Sequence, residues 1–291
     1  MSDEMSGATT ESGRPSFGAR VIEAVRRLGP LCAGIDPSGA LLNSWDLTDS
    51  VAGLREFCAV CVDAFAGAVA VIKPQVAFFE RHGSGGVAEL ERLIASAQEA
   101  GLLVLCDAKR GDIDSTADAY AEAWLRDGSP LAGDAVTVHP YLGLFAQAPM
   151  VALAAATGRG VIVVTRSSNP EGRVLQTAVT ATGLSVEETL LHEIASLNHS
   201  DVVPLGTVGA VVGATLPPSD FPLSQLGGVI LAPGLGAQGA SLGDIAERFS
   251  QCAPGTVLAS TSRSLLAAGP DPAHLRKAAL ELGAELATVL G

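Results

Sequence analysis

The chain has 291 residues, 48% hydrophobic and 17% charged, which is too apolar for intrinsic disorder and long enough to bury one large core. Its 18 Lys plus Arg against 31 Asp plus Glu give a formal charge of −13, the wrong sign for a nucleic-acid or anionic-membrane surface, so an anionic ligand has to be held locally. A spanning helix needs about 20 unbroken apolar residues, and the stretches Ala64 to Phe79 and Val202 to Leu216 are interrupted by Lys73 and Pro74, or by Pro204 and glycines.

Residues Met1 to Ser16 are polar and rich in Ser, Thr, Gly and Glu, without the basic start and apolar run of a signal peptide, and read as a disordered leader of a cytoplasmic protein. Residues 17–291 contain no Pro/Gly/Ser-rich linker and read as one domain. The first Val/Ile/Leu-rich run, Leu31 to Gly34, is followed by the helical stripe Val51, Leu54, Cys58, Cys61 and Phe65, which assigns the C-x-x-C pair to packing. The five cysteines are too scattered for a disulfide framework.

The second run, Val69 to Lys73, precedes a stripe of Leu90, Leu93, Ile94 and Ala97 that Gly101 ends. Leu102 to Asp107 is the third, with a helix over Ala117 to Arg126 behind it. Ala135 to His139 and Val161 to Thr165 follow, and Ser185-Val186-Glu187-Glu188 then forms a capping box ahead of Leu190, Leu191 and Ile194. After the sixth run, Val208 to Val212, the segment Pro217 to Leu226 contains three Pro and can hold only a short helix. Val229 to Leu231 and Val257 to Ser260 complete eight runs, and His274 to Leu290 is the closing helix.

Continuous rather than alternating apolar runs suit parallel strands covered on both faces. Eight strand–helix units predict an α/β fold, a single (β/α)8 TIM barrel, with its active site at the carboxyl ends of the strands. A flavodoxin-like or Rossmann sheet competes, but needs fewer strands or a second domain with its own boundary.

Those strand ends are polar: Asp36, Lys73, Asp107 with Lys109, His139, Ser167 with Ser168, and Ser260 leading to Arg263. Asp107 and Lys109 are i and i+2, on one face of a strand, and Asp112 with Lys73 can join them. Alternating charges hold one another ionised in low dielectric, either as a reactive site or as a structural salt-bridge cluster. After the seventh strand, Pro233-Gly234-Leu235-Gly236-Ala237-Gln238-Gly239 contains G-x-G-x-x-G, yet the next strand ends in Leu258, Ala259 and Ser260 where a dinucleotide site wants an acid. In a barrel, the loops after strands seven and eight hold phosphate, and Gln238 and Arg263 are placed to donate to one. There is no G-x-S-x-G, H-E-x-x-H or Walker-type loop, and the five His are too dispersed to propose a metal.

The stretches Asp107-Ala108-Lys109-Arg110-Gly111-Asp112-Ile113, Lys73-Pro74-Gln75 and Pro233 to Gly239 closely resemble the orotidine 5′-phosphate decarboxylase family, in its longer bacterial branch. The resemblance runs in order from Asp36 to Arg263. It implies a homodimeric barrel, without cofactor or metal, that converts orotidine 5′-monophosphate to UMP and CO2. By the same resemblance Lys73, Asp107, Lys109 and Asp112 are the catalytic array, with Asp112 and Thr116 serving the partner's site. Asp36 is implied to accept from the ribose, Ser168 or its neighbour Ser167 to contact the pyrimidine, Pro233 to line the base pocket, and Gln238 and Arg263 to grip the phosphate. Related sugar-phosphate barrels use Mg2+ and an acid where this chain has Lys73, and a silent nucleotide binder is expected to lack part of the array.

Overall fold

The computed structural model describes residues 13–199, 205–215, 221–236 and 239–291. Residues 1–12 of the expected leader, and Gln238, lie outside these. The chain alternates strands and helices and closes as a parallel barrel in the order β1 to β8. The strands are β1 (Leu31–Ile35), β2 (Val71–Pro74), β3 (Leu103–Arg110), β4 (Ala135–Val138), β5 (Gly160–Arg166), β6 (Val208–Val212), β7 (Ile230–Pro233) and β8 (Val257–Thr261). All eight apolar runs are therefore strands, and β1 pairs with β8 to close the ring.

Helices α1 (Phe17–Leu28), α2 (Gly39–Ser44), α3 (Val51–Phe65), α4 (Ala77–Glu80), α5 (Gly83–Glu99) and α6 (Asp114–Leu125) belong to the first half. They are followed by α7 (Ala148–Thr157), α8 (Arg173–Gln176), α9 (Val186–Asn198), α10 (Leu242–Arg248), α11 (Arg263–Leu266) and α12 (Pro272–Leu290). The capping box at Ser185 is present, with Ser185 Oγ accepting from Glu188 N–H and Glu188 returning a bond to Ser185 N–H. Between β6 and β7 the described residues hold a short 3-10 turn, Leu223–Gln225, in keeping with the prolines.

Burial separates two apolar layers. An outer layer lies between strands and helices and includes Phe57, Cys58 and Cys61 of α3. The inner one fills the tube with Cys32, Val71, Leu105, Ala135, Ile162, Val229, Leu231 and Leu258, and α1 caps it through Phe17, Val21 and Val25. Residues 13–16 do not behave as a free leader: Ser16 caps α1 through Ala19 N–H, and Arg14 donates to Thr157 O. Among the described residues no helix is long and apolar enough to cross a membrane.

Candidate active site

Strand β3 ends in a bulge that sets the geometry of the site. Cys106 pairs with Val136 and Arg110 with Val138, so Asp107, Ala108 and Lys109 stand opposite the single residue Thr137. Lys109 absorbs the excess with a φ of 49°, a left-handed conformation that costs a non-glycine residue on the order of 1 to 3 kcal/mol. Its backbone N–H donates to Thr137 Oγ1 at 2.9 Å, and its ammonium donates to Asp107 Oδ1 at 2.6 Å. The i, i+2 spacing anticipates that pair, although a bulge and not a regular strand presents it.

Asp107 is surrounded by donors. Oδ1 accepts from Lys109 Nζ at 2.6 Å and Thr137 Oγ1 at 2.8 Å, while Oδ2 accepts from Gln75 Nε2 at 2.8 Å and Lys73 Nζ at 3.2 Å. The Asp107 and Lys73 side chains are 10% and 9% exposed, and that of Lys109 is 40% exposed. Burial by itself favours a protonated Asp107; the charges of Lys73 and Lys109, with the bonds from Lys109 and Thr137, outweigh it and hold the carboxyl well below the usual carboxylate range. Burial likewise favours a neutral Lys73, and the Asp107 and Asp36 carboxylates outweigh it, holding the amine protonated above the ordinary lysine range. One anion is thus fixed between a buried cation and a partly exposed one.

Asp36, just past β1, carries an Oδ1 that is buried without a hydrogen-bond partner, as is Ser262 Oγ just past β8. Open buried acceptors and donors beside a charged cleft are where a hydroxyl-rich or anionic ligand makes its bonds. On the same side, Thr261 Oγ1 donates to Leu235 O at 3.1 Å and lies 2.7 Å from Ser264 Oγ, so the loop after β7 rests against the start of α11. Gly236 in that loop has a φ of 75°, and a Cβ there would stand 2.7 Å from Ser264 Oγ. Arg263 opens α11 and is exposed, and half-buried Pro233 ends β7 opposite Ser260.

Ser167 Oγ is engaged within its own loop, by Asn169 Oδ1 at 2.6 Å and Gln176 Nε2 at 2.8 Å, and Ser168 is half-buried beside it. His139 is held below the usual histidine range by partial burial and the charge of Lys109. Asp112 departs from the local cluster that spacing suggested. Among the described residues it makes no ion pair; its Oδ1 accepts from Ile113 N–H at 2.9 Å, because it lies past the end of β3 at Arg110. Thr116 lies exposed on α6. Gln147, at the end of the segment after β4, donates to Asp112 O at 3.3 Å, and Ile113 with Tyr141, Leu142 and Phe145 of that segment expose large apolar side chains.

Sequence reasoning passes over Thr137 and Ser262 and gives Gln75 no bonding role. For Thr137 the signal is a lone hydroxyl inside the apolar run Ala135-Val136-Thr137-Val138. Among the described residues no group of three or more His, Cys, Asp or Glu is placed to share a metal ion. A concavity of about 550 Å³ between α1 and α12, lined by Val25, Leu28, Leu280 and Ala287 among others, lies away from these charges, so chemistry and not volume locates the site.

A closed parallel barrel with a carboxylate held between two lysines at the carboxyl ends of its strands defines a TIM-barrel enzyme. The sequence pattern of the orotidine 5′-phosphate decarboxylase / HUMPS family matches residues 29–278, and the chain belongs to that family. A curated relative from Salinispora arenicola, named orotidine 5′-phosphate decarboxylase, is 54% identical over 264 residues, covering 91% of this chain and 94% of the relative. Another of that name, from Corynebacterium efficiens, is 48% identical over 274 residues, covering 93% and 96%. The crystal structure of a candidate orotidine 5′-phosphate decarboxylase from Streptomyces avermitilis shares 47% identity at a TM-score of 0.91 and covers 99% of each chain.

Proposed function

We propose that this barrel is a carboxy-lyase that converts orotidine 5′-monophosphate to UMP and CO2, the closing step of pyrimidine nucleotide synthesis. The observation that carries the reading is the Lys73–Asp107–Lys109 array, four donors converging on one buried anion. The relatives' names supply the substrate.

In this reading the bond between C6 and its carboxylate breaks heterolytically, CO2 departs, and the electron pair stays on C6. The Lys109 ammonium stabilises that developing charge and gives its proton to C6; solvent then reprotonates the amine. Lys73 keeps Asp107 ionised, and Asp107 orients Lys109. No metal or cofactor is called on, because Lys109 supplies both the positive charge and the proton.

Asp36 accepts from a ribose hydroxyl through its open Oδ1, Ser168 contacts the pyrimidine, Pro233 lines the base pocket, and Arg263 with Gln238 holds the phosphate. Asp112 and Thr116 complete the site of a second copy in a homodimer. Support comes from the apolar rim of Ile113, Tyr141, Leu142 and Phe145 beside Asp112, and from Asp112 having no ammonium partner among the described residues of its own chain. The domain takes in residues 17–291 with 13–16 packed against it, and the five free thiols suit the reducing cytoplasm.

The test is the fall in absorbance near the orotate band when EDTA-treated protein meets orotidine 5′-monophosphate, with Lys109→Ala alongside. Rapid loss confined to the unmutated protein is expected. No loss from folded protein overturns the reading in favour of a sugar-phosphate barrel or a silent nucleotide binder.

A further inference from the structure

Thr137 is fully buried in β4, on a strand otherwise made of Ala and Val. A hydroxyl in such a place weakens packing unless both its donor and its acceptor capacity are used. Here both are. The oxygen accepts from Lys109 N–H at 2.9 Å, so the hydroxyl proton is free to go to Asp107 Oδ1 at 2.8 Å. These two partners are the first and last residues of the bulge, and Thr137 is the one β4 residue opposite it.

The backbone of Lys109 needs such a clamp. Its φ of 49° is unfavourable for a side chain with a Cβ, and the residue that adopts it is neither glycine nor asparagine. A relaxed Lys109 would change the direction in which its Cα–Cβ bond leaves the strand, and with it the ammonium.

We infer that Thr137 is a positioning residue: by bridging the two ends of the β3 bulge it holds Lys109 in its left-handed conformation and so aims the ammonium for proton delivery. Thr137 touches no reacting atom in this role. The inference rests on the proposed decarboxylation and adds to it the device that sets the acid's direction.

The experiment compares the unmutated protein, Thr137→Val and Thr137→Ser. Val keeps shape and volume but neither bond; Ser keeps the hydroxyl. Four quantities are read: kcat and KM for orotidine 5′-monophosphate, the melting shift caused by UMP, and the exchange rate of the C6 hydrogen of bound UMP with solvent deuterium followed by NMR. That exchange uses the same proton path without CO2 release. For Thr137→Val, kcat and the exchange rate are both expected to fall between about tenfold and a hundredfold, the loss of one or two bonds to charged or buried groups. KM and the UMP shift should stay close to those of the unmutated protein, and Thr137→Ser should recover most of the rate. An active unmutated protein beside an equally active Thr137→Val overturns the inference alone. So does a Val variant that loses rate and UMP binding in step, since that reports general damage. An unmutated protein that leaves orotidine 5′-monophosphate intact overturns the function and this inference with it.

Discussion

Lys109 Nζ lies 2.6 Å from Asp107 Oδ1, although the two residues belong to the same strand and only Ala108 separates them. The contact places a partly exposed acid against a buried anion, and it orders what substitutions should do.

Lys109→Ala removes the proton donor while leaving Lys73 to neutralise Asp107. Turnover should fall by at least about a thousandfold, as when a preorganised transition-state donor is lost. The circular dichroism spectrum and the melting shift produced by UMP should survive. A near-normal rate, or insoluble protein, would refute the assigned role.

The ion pair has a defined pH window. Asp107 has a folded pKa below its unfolded value of about 3.9, so its contribution is full above that and is lost as pH falls through the folded pKa. Lys73 has a folded pKa above its unfolded value of about 10.4, so its contribution is full below that and is lost as pH rises through the folded pKa. Asp107→Asn leaves Lys73 buried and should cost on the order of 3 kcal/mol. Calorimetry should find a nearly constant gap in melting temperature between the two proteins from about pH 5 to 9, shrinking in stronger acid and in stronger base. A gap that already closes near pH 6 would contradict the ionisation states given above.

If Asp112 acts in the partner's site, two dead proteins can repair each other. Lys109→Ala and Asp112→Ala, dissociated together and reassembled, place both lesions in one site of each mixed dimer and leave the other site whole. Random pairing then restores about a quarter of the sites. Activity that stays at the level of the separate variants would place Asp112 outside the shared site. Phe145→Glu, on the apolar rim, should yield monomers by sedimentation and lower activity with them.

Arg263→Ala should raise KM for orotidine 5′-monophosphate while leaving the slow turnover of orotidine, which has no phosphate, unaltered. Equal losses for both substrates would argue that Arg263 is structural. Gly236→Ala acts on the facing loop after β7: at a φ of 75° a Cβ is strained, and its 2.7 Å approach forces the Ser264 hydroxyl to shift. It should raise KM without touching the C6 exchange of UMP.

The eight strands were legible because parallel strands buried on both faces must be apolar throughout, and their ends stood out as charges against that background. Where β3 ends was less legible. The apolar run stops at Asp107 and spacing carries the strand face only to Lys109, yet the bulge takes the ladder on to Arg110. Asp107 and Lys109 were recognisable by spacing; Thr137 was not, because a single hydroxyl in a strand is common and only the register reveals what it faces. Helix α1 was missed although Phe17, Val21, Val25 and Leu28 fall at helical spacing, because arginines and a polar leader surround them.

That helix has a larger effect than its size implies. By packing Phe17, Val21 and Val25 against the side chains that already fill the tube, it covers the end of the barrel opposite the charged site. Substrate entry, CO2 escape and UMP release then share one opening and follow one another in sequence, and that opening is where the pace of turnover can be governed.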